Sequence, residues 1–419
     1  MLGTIRKLIL TTGVAAATAV AVPVGAQTGG APIPLPGAYD GGYLVFQTPD
    51  SAFKYWLDGR IQVDGAVYDG QKNHLANGSE VRRARLGVKT TLYKDWLGEF
   101  DVDFAGNAVE MKDMWLGYQG FANTLIRVGN YKEPFSLETL TSSKYITFME
   151  RSYADNFSPD RHIGVGVSRW GSNWQASVGA FGQAAGDVDE SGYSEGYAFT
   201  GRFTIAPIHT DRSLVHLGVS ASRRTPDGGL PADANQVRFR ARPETNVSQV
   251  RFLTTGKIKN VDYTNYFNGE FAAVRGPWSV QSEYTIVDVH RLDPALATAR
   301  FGGGYAFVSY FITGESRPYL PQEGEFDRIF PKSDRGAWEV AARASTMILN
   351  DFSPGVNITG GKANNYTLGV TWYINPNFKW MLNYVRVVND QYAKPDLGVA
   401  PFLTGDKFNI LQMRFGLAL

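Results

Sequence analysis

Alternation of apolar and polar residues with period two dominates this chain from about residue 54 to its end. It runs in segments of roughly nine to eleven residues, the length at which a tilted strand crosses a bilayer. In the segment 81–93, one face is apolar, and the other face carries Arg83, Arg85 and Lys89 at alternate positions. Two faces so different cannot both meet water. The pattern therefore predicts strands with one face against hydrocarbon and the other against a wet lumen.

No apolar run after the N-terminal segment approaches the eighteen to twenty residues that a membrane-spanning helix requires, since Gly or a polar residue interrupts each run. Aromatic residues make up 13% of the chain, and it has 46 glycines. A barrel uses aromatic residues for its interfacial girdles and glycine for its turns. We therefore expect an all-β transmembrane barrel rather than a helical membrane protein.

Turn residues separate the alternating segments and predict an antiparallel, up-and-down meander. The short connections are Lys94-Asp95, Arg275-Gly276-Pro277 and Asn375-Pro376-Asn377. Longer polar stretches are predicted to be extracellular loops that alternate with these periplasmic turns: 70–79, 132–160, 186–196, 227–235, 317–335 and 351–364. The wall segments include 96–105, 174–181, 215–222, 237–242, 278–289, 338–348, 366–373 and 378–387. The count is about 16 strands, or 18 if residues 249–258 form one.

The last residues of the chain form a further alternating strand. Leu411, Met413, Phe415 and Leu417 share one face, and Arg414 lies on the other. An unpaired sheet edge is not tolerated in a membrane, so we expect this strand to close the barrel against the first strand.

The N-terminus has the pattern of a secretory signal peptide. Arg6 and Lys7 precede a short apolar stretch, and Val24-Gly25-Ala26 places small residues before a cleavage site. We expect residues 1–26 to be a signal peptide, 27–50 a Pro/Gly-rich lead-in and 51–419 the barrel, located in the outer membrane of a Gram-negative bacterium. The absence of cysteine suits passage through an oxidising periplasm.

Formal charge limits the classes of partner. Removing residues 1–26 takes away two basic and no acidic residues, which leaves 39 Lys and Arg against 40 Asp and Glu, a net charge of −1. The basic field expected for nucleic-acid binding is absent. Any anion preference must therefore come from where the charges lie, and the expected partners are small anionic solutes and outer-membrane lipid.

Arginines at alternate positions of the segment 237–242 are candidates for an anion path. Arg238, Arg240 and Arg242 share one face at a spacing of about 6 to 7 Å. Guanidinium stays charged and matches phosphate oxygens with a planar fork. We expect these three residues to line the pore, since no acidic partner is obvious in the adjacent segments.

A second basic face, Arg83, Arg85 and Lys89, has two interpretations. The turn at Lys94-Asp95 pairs Lys89 with Glu99 and Arg85 with Asp103, which gives a neutralised wall. The alternative is a conducting anion site.

The segment 132–160 is long for a barrel loop and is predicted either to fold inward or to lie on the surface. If it folds inward, Arg151, Arg161 and Lys144 would line a constriction, or nearby acidic residues would balance them: Glu133, Glu138, Glu150 and Asp155. Further charged residues on lumen faces are expected to brace the wall as ion pairs: Glu270, Glu283, Glu339 and Arg343.

Eight sequence blocks, in order, resemble the phosphate-selective porin O and P family. They are Val81–Gly87, Ile126–Glu138, Thr147–Arg151, Asp160–Gly164, Arg240–Glu244, Phe311–Glu315, Ala337–Arg343 and Trp372–Pro376. The resemblance implies a sixteen-stranded barrel, usually trimeric, that passes phosphate or related anions. It also implies an arginine ladder along the pore, which Arg238, Arg240 and Arg242 resemble.

The sequence thus predicts a porin for passive diffusion, anion-preferring, with no cofactor and no metal site. One alternative is a non-selective or largely plugged structural barrel. A remote alternative is a barrel hydrolase, since His216 has Ser213, Ser220 and Ser222 nearby in sequence and His162 has Ser158 and Asp160. Stable conductance steps would separate a porin from a plugged barrel, and a lipid-hydrolysis assay would detect the enzyme.

Overall fold

A computed structural model describes residues 37–40, 42–186, 195–227, 235–396 and 402–419. The predicted signal peptide lies outside these ranges, as do most of the predicted loops 186–196 and 227–235. Within them, no helix has both the length and the apolar character needed to span a bilayer.

The first half of the chain is built almost entirely from strands. They are β1 Gly37–Asp40, β2 Tyr43–Gln47, β3 Phe53–Asp69, β4 Gly78–Leu92, β5 Trp96–Asp103, β6 Glu110–Tyr118, β7 Thr124–Lys132, β8 Arg161–Trp170, β9 Trp174–Phe181, β10 Ala198–Thr210 and β11 Ser213–Arg224.

The second half of the chain is built in the same way. Its strands are β12 Arg240–Ala241, β13 Leu253–Thr254, β14 Val261–Arg275, β15 Trp278–Arg291, β16 Ala299–Phe311, β17 Tyr319–Leu320, β18 Glu325–Phe326, β19 Ala337–Asp351, β20 Ile358–Tyr373, β21 Phe378–Asn389 and β22 Lys407–Ala418. Among the described residues, helical structure is limited to α1 Leu137–Leu140 and two 3₁₀ turns, Ala105–Asn107 and Tyr153–Phe157.

Sixteen strands of the described chain close an antiparallel barrel: β3 to β11, β14 to β16 and β19 to β22. Each pairs with its neighbour in chain order, which confirms the predicted meander. The last strand, β22, pairs with β3, with Phe415 opposite Val63 and Arg414 opposite Asp64. The barrel is therefore closed by the predicted C-terminal strand, and neither strand leaves an open edge.

The two faces of the wall invert the distribution found in soluble proteins. Large apolar side chains point outward and are exposed, among them Leu116 at 67% and Val219 at 60%. Charged side chains point inward and are buried, among them Glu283 and the fully buried Arg414. The outer face therefore suits hydrocarbon, while the inner face holds the polar groups.

Connections alternate between the two ends of the barrel because every strand reverses direction. Short turns join β4 to β5, β8 to β9 and β20 to β21 at the end that porins place in the periplasm. The prediction that residues 317–335 form an extracellular loop is wrong, since this segment joins β16 to β19 at the turn end. We call residues 312–336 the turn-end insertion; it contains the small hairpin of β17 and β18. The predicted loop 351–364 is also shorter, because β20 begins at Ile358.

The placement of the segment 237–242 in the barrel wall is wrong. It lies in the connection between β11 and β14, where β12 pairs with β13 and Val237 pairs with Ile258. The segment 249–258 is likewise no wall strand, which leaves sixteen rather than eighteen. The apolar face of this loop hairpin, including Phe239 and Ala241, packs with Tyr153 and Phe157 and with inward side chains of the wall. The alternation was correctly identified, but its apolar face meets a protein core rather than lipid.

Candidate functional site

Residues 133–160, between β7 and β8, fold into the barrel and are called the inner loop. Most of their side chains are buried. The amides of Leu137 and Glu138 donate to the carboxylate of Glu283 on β15, at 3.0 and 2.7 Å. The amide of Met149 donates to the Asn383 side chain on β21 at 2.8 Å. The inner loop is therefore fixed to two separate parts of the lumen wall, β15 and β21, as the inward-folding interpretation predicted.

Ion pairs fix the far end of the inner loop. Glu150 contacts Arg82 at 2.9 Å and Arg414 at 2.6 Å. Burial disfavours its charge, but these two guanidinium groups outweigh burial and hold the pKa of Glu150 well below its usual value. Arg343 on β19 lies 3.5 Å from Glu138 and 2.8 Å from Glu244. The inner loop, the wall and the loop after β11 thus share one charge network.

Lys144 lies in the middle of the inner loop, 2.9 Å from Asp58 on β3. Burial lowers the pKa of Lys144 to about 7. The negative charge of Asp58 raises this pKa, while the positive charges of Arg60 and Lys89 lower it. Burial likewise raises the pKa of Glu138 to about 8. Two ionisable groups of the inner loop therefore titrate near neutral pH.

A cavity of about 1060 Å³ runs between the inner loop and the inner faces of β3 to β9, and we call it the corridor. Small inward residues of β8 and β9 line this space: Gly166, Ser168 and Ser177. The opposite side of the lumen is filled by the inner loop and the loop hairpin.

The lining of the corridor is basic. It contains thirteen Lys and Arg against eight Asp and Glu, a formal excess of five positive charges. Within the described residues, five of these cations have no carboxylate within 4.0 Å, and we call them the unpaired cations. They are Lys54, Arg83, Arg127, Lys132 and Arg328.

The predicted hairpin pairing is present on the corridor wall. Arg85 contacts Asp103 at 2.7 Å and Lys89 contacts Glu99 at 3.3 Å, in the register that the turn predicted. Both basic residues nevertheless line the corridor. The ion-paired basic face therefore also forms part of the corridor wall. Arg83 differs, since its guanidinium donates to the Gln62 side chain at 2.7 Å and has no carboxylate of a described residue within 4.0 Å.

Arg151 of the inner loop also lines the corridor. It donates to the backbone oxygens of Glu138 and Thr141, each at 2.8 Å, and lies 3.7 Å from Asp155. Arg161 pairs with Asp113 at 2.6 Å. Asp155, one of the acidic residues expected from the sequence, and Asp113, which was not expected, therefore balance part of this positive charge.

The three arginines of the loop hairpin, Arg238, Arg240 and Arg242, lie outside the corridor lining and are called the hairpin arginines. Their face is the solvent-exposed one, opposite Phe239. Arg238 pairs with Asp396, and Arg242 donates to the Gln249 side chain. Burial lowers the pKa of Arg242, as does the positive charge of Arg82 on the corridor lining. The hairpin arginines therefore lie at the loop end, and Arg242 is within electrostatic reach of Arg82 on the corridor lining.

The two predicted Ser–His neighbourhoods do not assemble. His216 is buried between Tyr319 at 2.6 Å and Glu270 at 3.1 Å, and Glu270 also pairs with Arg202 at 2.7 Å. His162 lies 2.7 Å from Glu133. In the described part of the chain neither imidazole has a serine hydrogen-bond partner.

Sequence reasoning missed four of the unpaired cations. Arg127 lies in an alternating segment whose lumen face also carries Leu125 and Tyr131, so its inward direction was readable from the pattern. Arg328 had no such signal, because it lies in the turn-end insertion. It stacks on Tyr43 at 4.5 Å and donates to the Gly42 backbone oxygen at 2.9 Å.

Comparison with known proteins agrees with this geometry. Residues 56–419 match the family described as phosphate-selective porin O and P. Porin O of Pseudomonas aeruginosa is 27% identical over 425 residues, covering 90% of this chain and 93% of the relative. An uncharacterized protein of Caulobacter vibrioides is 31% identical over 359 residues, covering 81% of this chain and 69% of the relative.

Solved structures show the same fold at low identity. The outer membrane channel DcaP of Acinetobacter baumannii aligns with a TM-score of 0.55 at 14% identity, over 89% of this chain and 99% of that one. A trimer form of OmpT, an outer membrane protein of Vibrio cholerae, aligns with a TM-score of 0.51 at 11% identity, over 88% of this chain and 100% of that one.

Proposed function

This chain belongs to the phosphate-selective porin O and P family and is an outer-membrane porin of a Gram-negative bacterium, and we propose that its corridor passes small anions in preference to cations. Transport is by passive diffusion and uses no cofactor or energy source. We assign the protein no catalytic role. The description of the family and the similarity to Porin O support phosphate or related anions as the solutes.

The positive excess of the corridor lining carries this proposal. The predicted mature chain is almost neutral, yet the lining has thirteen basic and eight acidic residues. Two unit charges 4 Å apart interact with an energy of about 1 kcal/mol in bulk water, and with more beside low-dielectric walls. Five unpaired cations therefore attract anions and repel cations along the whole path.

The candidate residues have different roles in this mechanism. Arg83 offers N–H groups that no carboxylate occupies, so it replaces part of an anion's hydration shell. Arg85, Lys89 and Arg151 line the path but are balanced by acidic neighbours. The hairpin arginines raise the anion concentration at the loop-end mouth before solutes reach the corridor. We also propose a homotrimer, on the fold shared with the trimer form of OmpT.

Reversal potentials in a salt gradient across a planar bilayer test the proposal. The wild-type channel is expected to be anion-selective, and Arg83→Gln is expected to lower the anion-to-cation permeability ratio. Arg169→Gln on the outward face of β8 is the matched control and should leave the ratio unchanged. A cation-selective or neutral reversal potential would refute the anion preference.

The same experiment addresses the plugged-barrel alternative. A channel that passes ions gives stable open steps, whereas a plugged barrel gives none. Repeating the gradient with phosphate competing against chloride then measures which anion the corridor favours.

A further inference from the structure

The corridor has an apolar patch near the turn end of the barrel, although porin lumens are normally polar. Trp115, Leu125 and Trp170 line the corridor there and are only partly buried. Trp115 is directed inward, since its indole N–H donates to Glu99 at 3.2 Å. Interfacial girdles are built from outward-facing aromatic residues, so a girdle does not account for this patch. An exposed apolar patch rimmed by polar groups is typical of a binding site.

The patch is continuous across three neighbouring strands. The space above Gly117 is shared by Leu125 and Trp115, whose side-chain atoms lie 2.9 and 3.0 Å from the position that a Cβ would take there. Leu125 is directly opposite Ser168 on β8, and Trp170 is two residues further along the same face. Side chains in that diagonal relation are within reach of each other when one is aromatic.

Arg127 lies at the edge of this patch, and its guanidinium group contacts aromatic rings rather than carboxylates. Its Cζ atom lies 4.4 Å from the Trp115 ring and 4.9 Å from the Tyr131 ring. Its Nε atom is buried and has no hydrogen-bond partner among the described residues. The nearby carboxylate of Glu99 is already matched by Lys89 at 3.3 Å. Because Arg127 lines the corridor, its terminal N–H groups, rather than the buried Nε, are available to a ligand.

A second unused donor lies beside it. The Tyr131 side chain is only 4% exposed, and its hydroxyl has no partner within the described chain. It lies above Gly166, where an added Cβ would come within 2.6 Å of the hydroxyl oxygen. Because Arg127 is opposite Gly166 in the sheet, no neighbouring side chain on β8 covers the guanidinium.

We propose that Arg127, Trp115, Leu125 and Trp170 form a binding site for small aromatic carboxylates, which we call the aromatic shelf. The carboxylate would occupy the free edge of Arg127, and the ring would lie on the apolar patch. Inorganic phosphate has no apolar part and would interact only with the charge of Arg127. The aromatic shelf therefore adds aromatic carboxylates to the phosphate-like anions as a second class of solute. This inference rests on the proposed anion preference of the corridor.

Block of the chloride current tests the shelf with benzoate and acetate, which have the same charge and differ in the ring. In the wild-type channel, benzoate is expected to block at least tenfold more strongly than acetate, and more strongly when added from the turn end. Trp170→Ser should bring the two blockers within about twofold, because it removes a ring and no charge. Arg127→Gln should weaken both, while Arg169→Gln on the outer face should change neither.

The outcomes separate this inference from the proposed function. Equal block by benzoate and acetate in an anion-selective wild-type channel would overturn the shelf and leave the anion preference intact. A wild-type channel that is not anion-selective would overturn the proposed function itself. The comparison of benzoate with acetate, and of addition from the two ends of the barrel, uses only the wild-type channel. The inference can therefore be refuted even if a variant fails to fold.

Discussion

Loss of Glu150 should detach part of the inner loop from the barrel wall. The Glu150 carboxylate lies between Arg82 at 2.9 Å and Arg414 at 2.6 Å, and Arg414 is fully buried. Removing one partner of a buried ion pair costs about 3–5 kcal/mol, because the remaining charge stays buried. A glutamine at this position would keep one acceptor oxygen and Arg414 would keep Asp64, so we expect Glu150→Gln to cost about 3 kcal/mol, the lower end of that range.

A loss of that size has a measurable consequence for the loop. Since 1.4 kcal/mol corresponds to a factor of ten, about 3 kcal/mol raises the population of the locally detached loop roughly a hundredfold. Hydrogen exchange of the Met149 and Tyr153 amides reports this directly, because both are bonded to side chains of other segments at 2.8 and 3.0 Å. Single-channel recordings should show added current noise in the same variant.

Glu110→Gln is the control, since the Glu110 side chain is 59% exposed in its pair with Lys112. Surface pairs contribute about 0–1 kcal/mol, so amide exchange in the inner loop should not change. Exchange of the Met149 and Tyr153 amides in Glu150→Gln that stays within about threefold of the wild type would refute the role assigned to this anchor.

Two further predictions concern charge along the path. Lys144 has a pKa of about 7 and is positive below it, so anion preference should be greater at pH 6 than at pH 8. Lys144→Arg, which stays charged, should remove most of that difference; a pH dependence that persists in this variant would contradict the assignment. Changing all three hairpin arginines to Ala should lower anion-over-cation permeability, most at low salt where screening is weak, without unfolding the barrel. Unchanged reversal potentials at every salt concentration would exclude the hairpin arginines from the anion path.

The wall of this barrel was predictable because its constraints are local. Period-two alternation fixes which face of a strand meets hydrocarbon, and a short turn fixes the register of a hairpin. The turn at Lys94-Asp95 therefore placed Arg85 opposite Asp103, as the structure has it. Closure by the C-terminal strand followed from the cost of an open sheet edge.

The filling of the lumen was less predictable, because alternation reports an apolar face without saying what covers it. The segment around Phe239 alternates like a wall strand, yet its apolar face packs on Tyr153 and Phe157 inside the barrel. The partner of Arg238 is Asp396, which lies 158 residues away and carries no local signal. Contacts of this kind depend on how loops meet in space, and sequence spacing does not encode them.

We expect ions to cross the barrel between the inner loop and β3 to β9. Cysteine accessibility tests this path directly, because the chain has no native cysteine. Ser168→Cys places a thiol on the corridor, and Thr367→Cys places one on an inward but 2% exposed position of the filled side. A negatively charged methanethiosulfonate reagent should reduce the current through the first variant and leave the second unchanged. If the reagent rapidly modified the Thr367→Cys channel and left the Ser168→Cys channel unaffected, the conducting path would lie on the other side of the inner loop. That result would contradict conduction through the corridor.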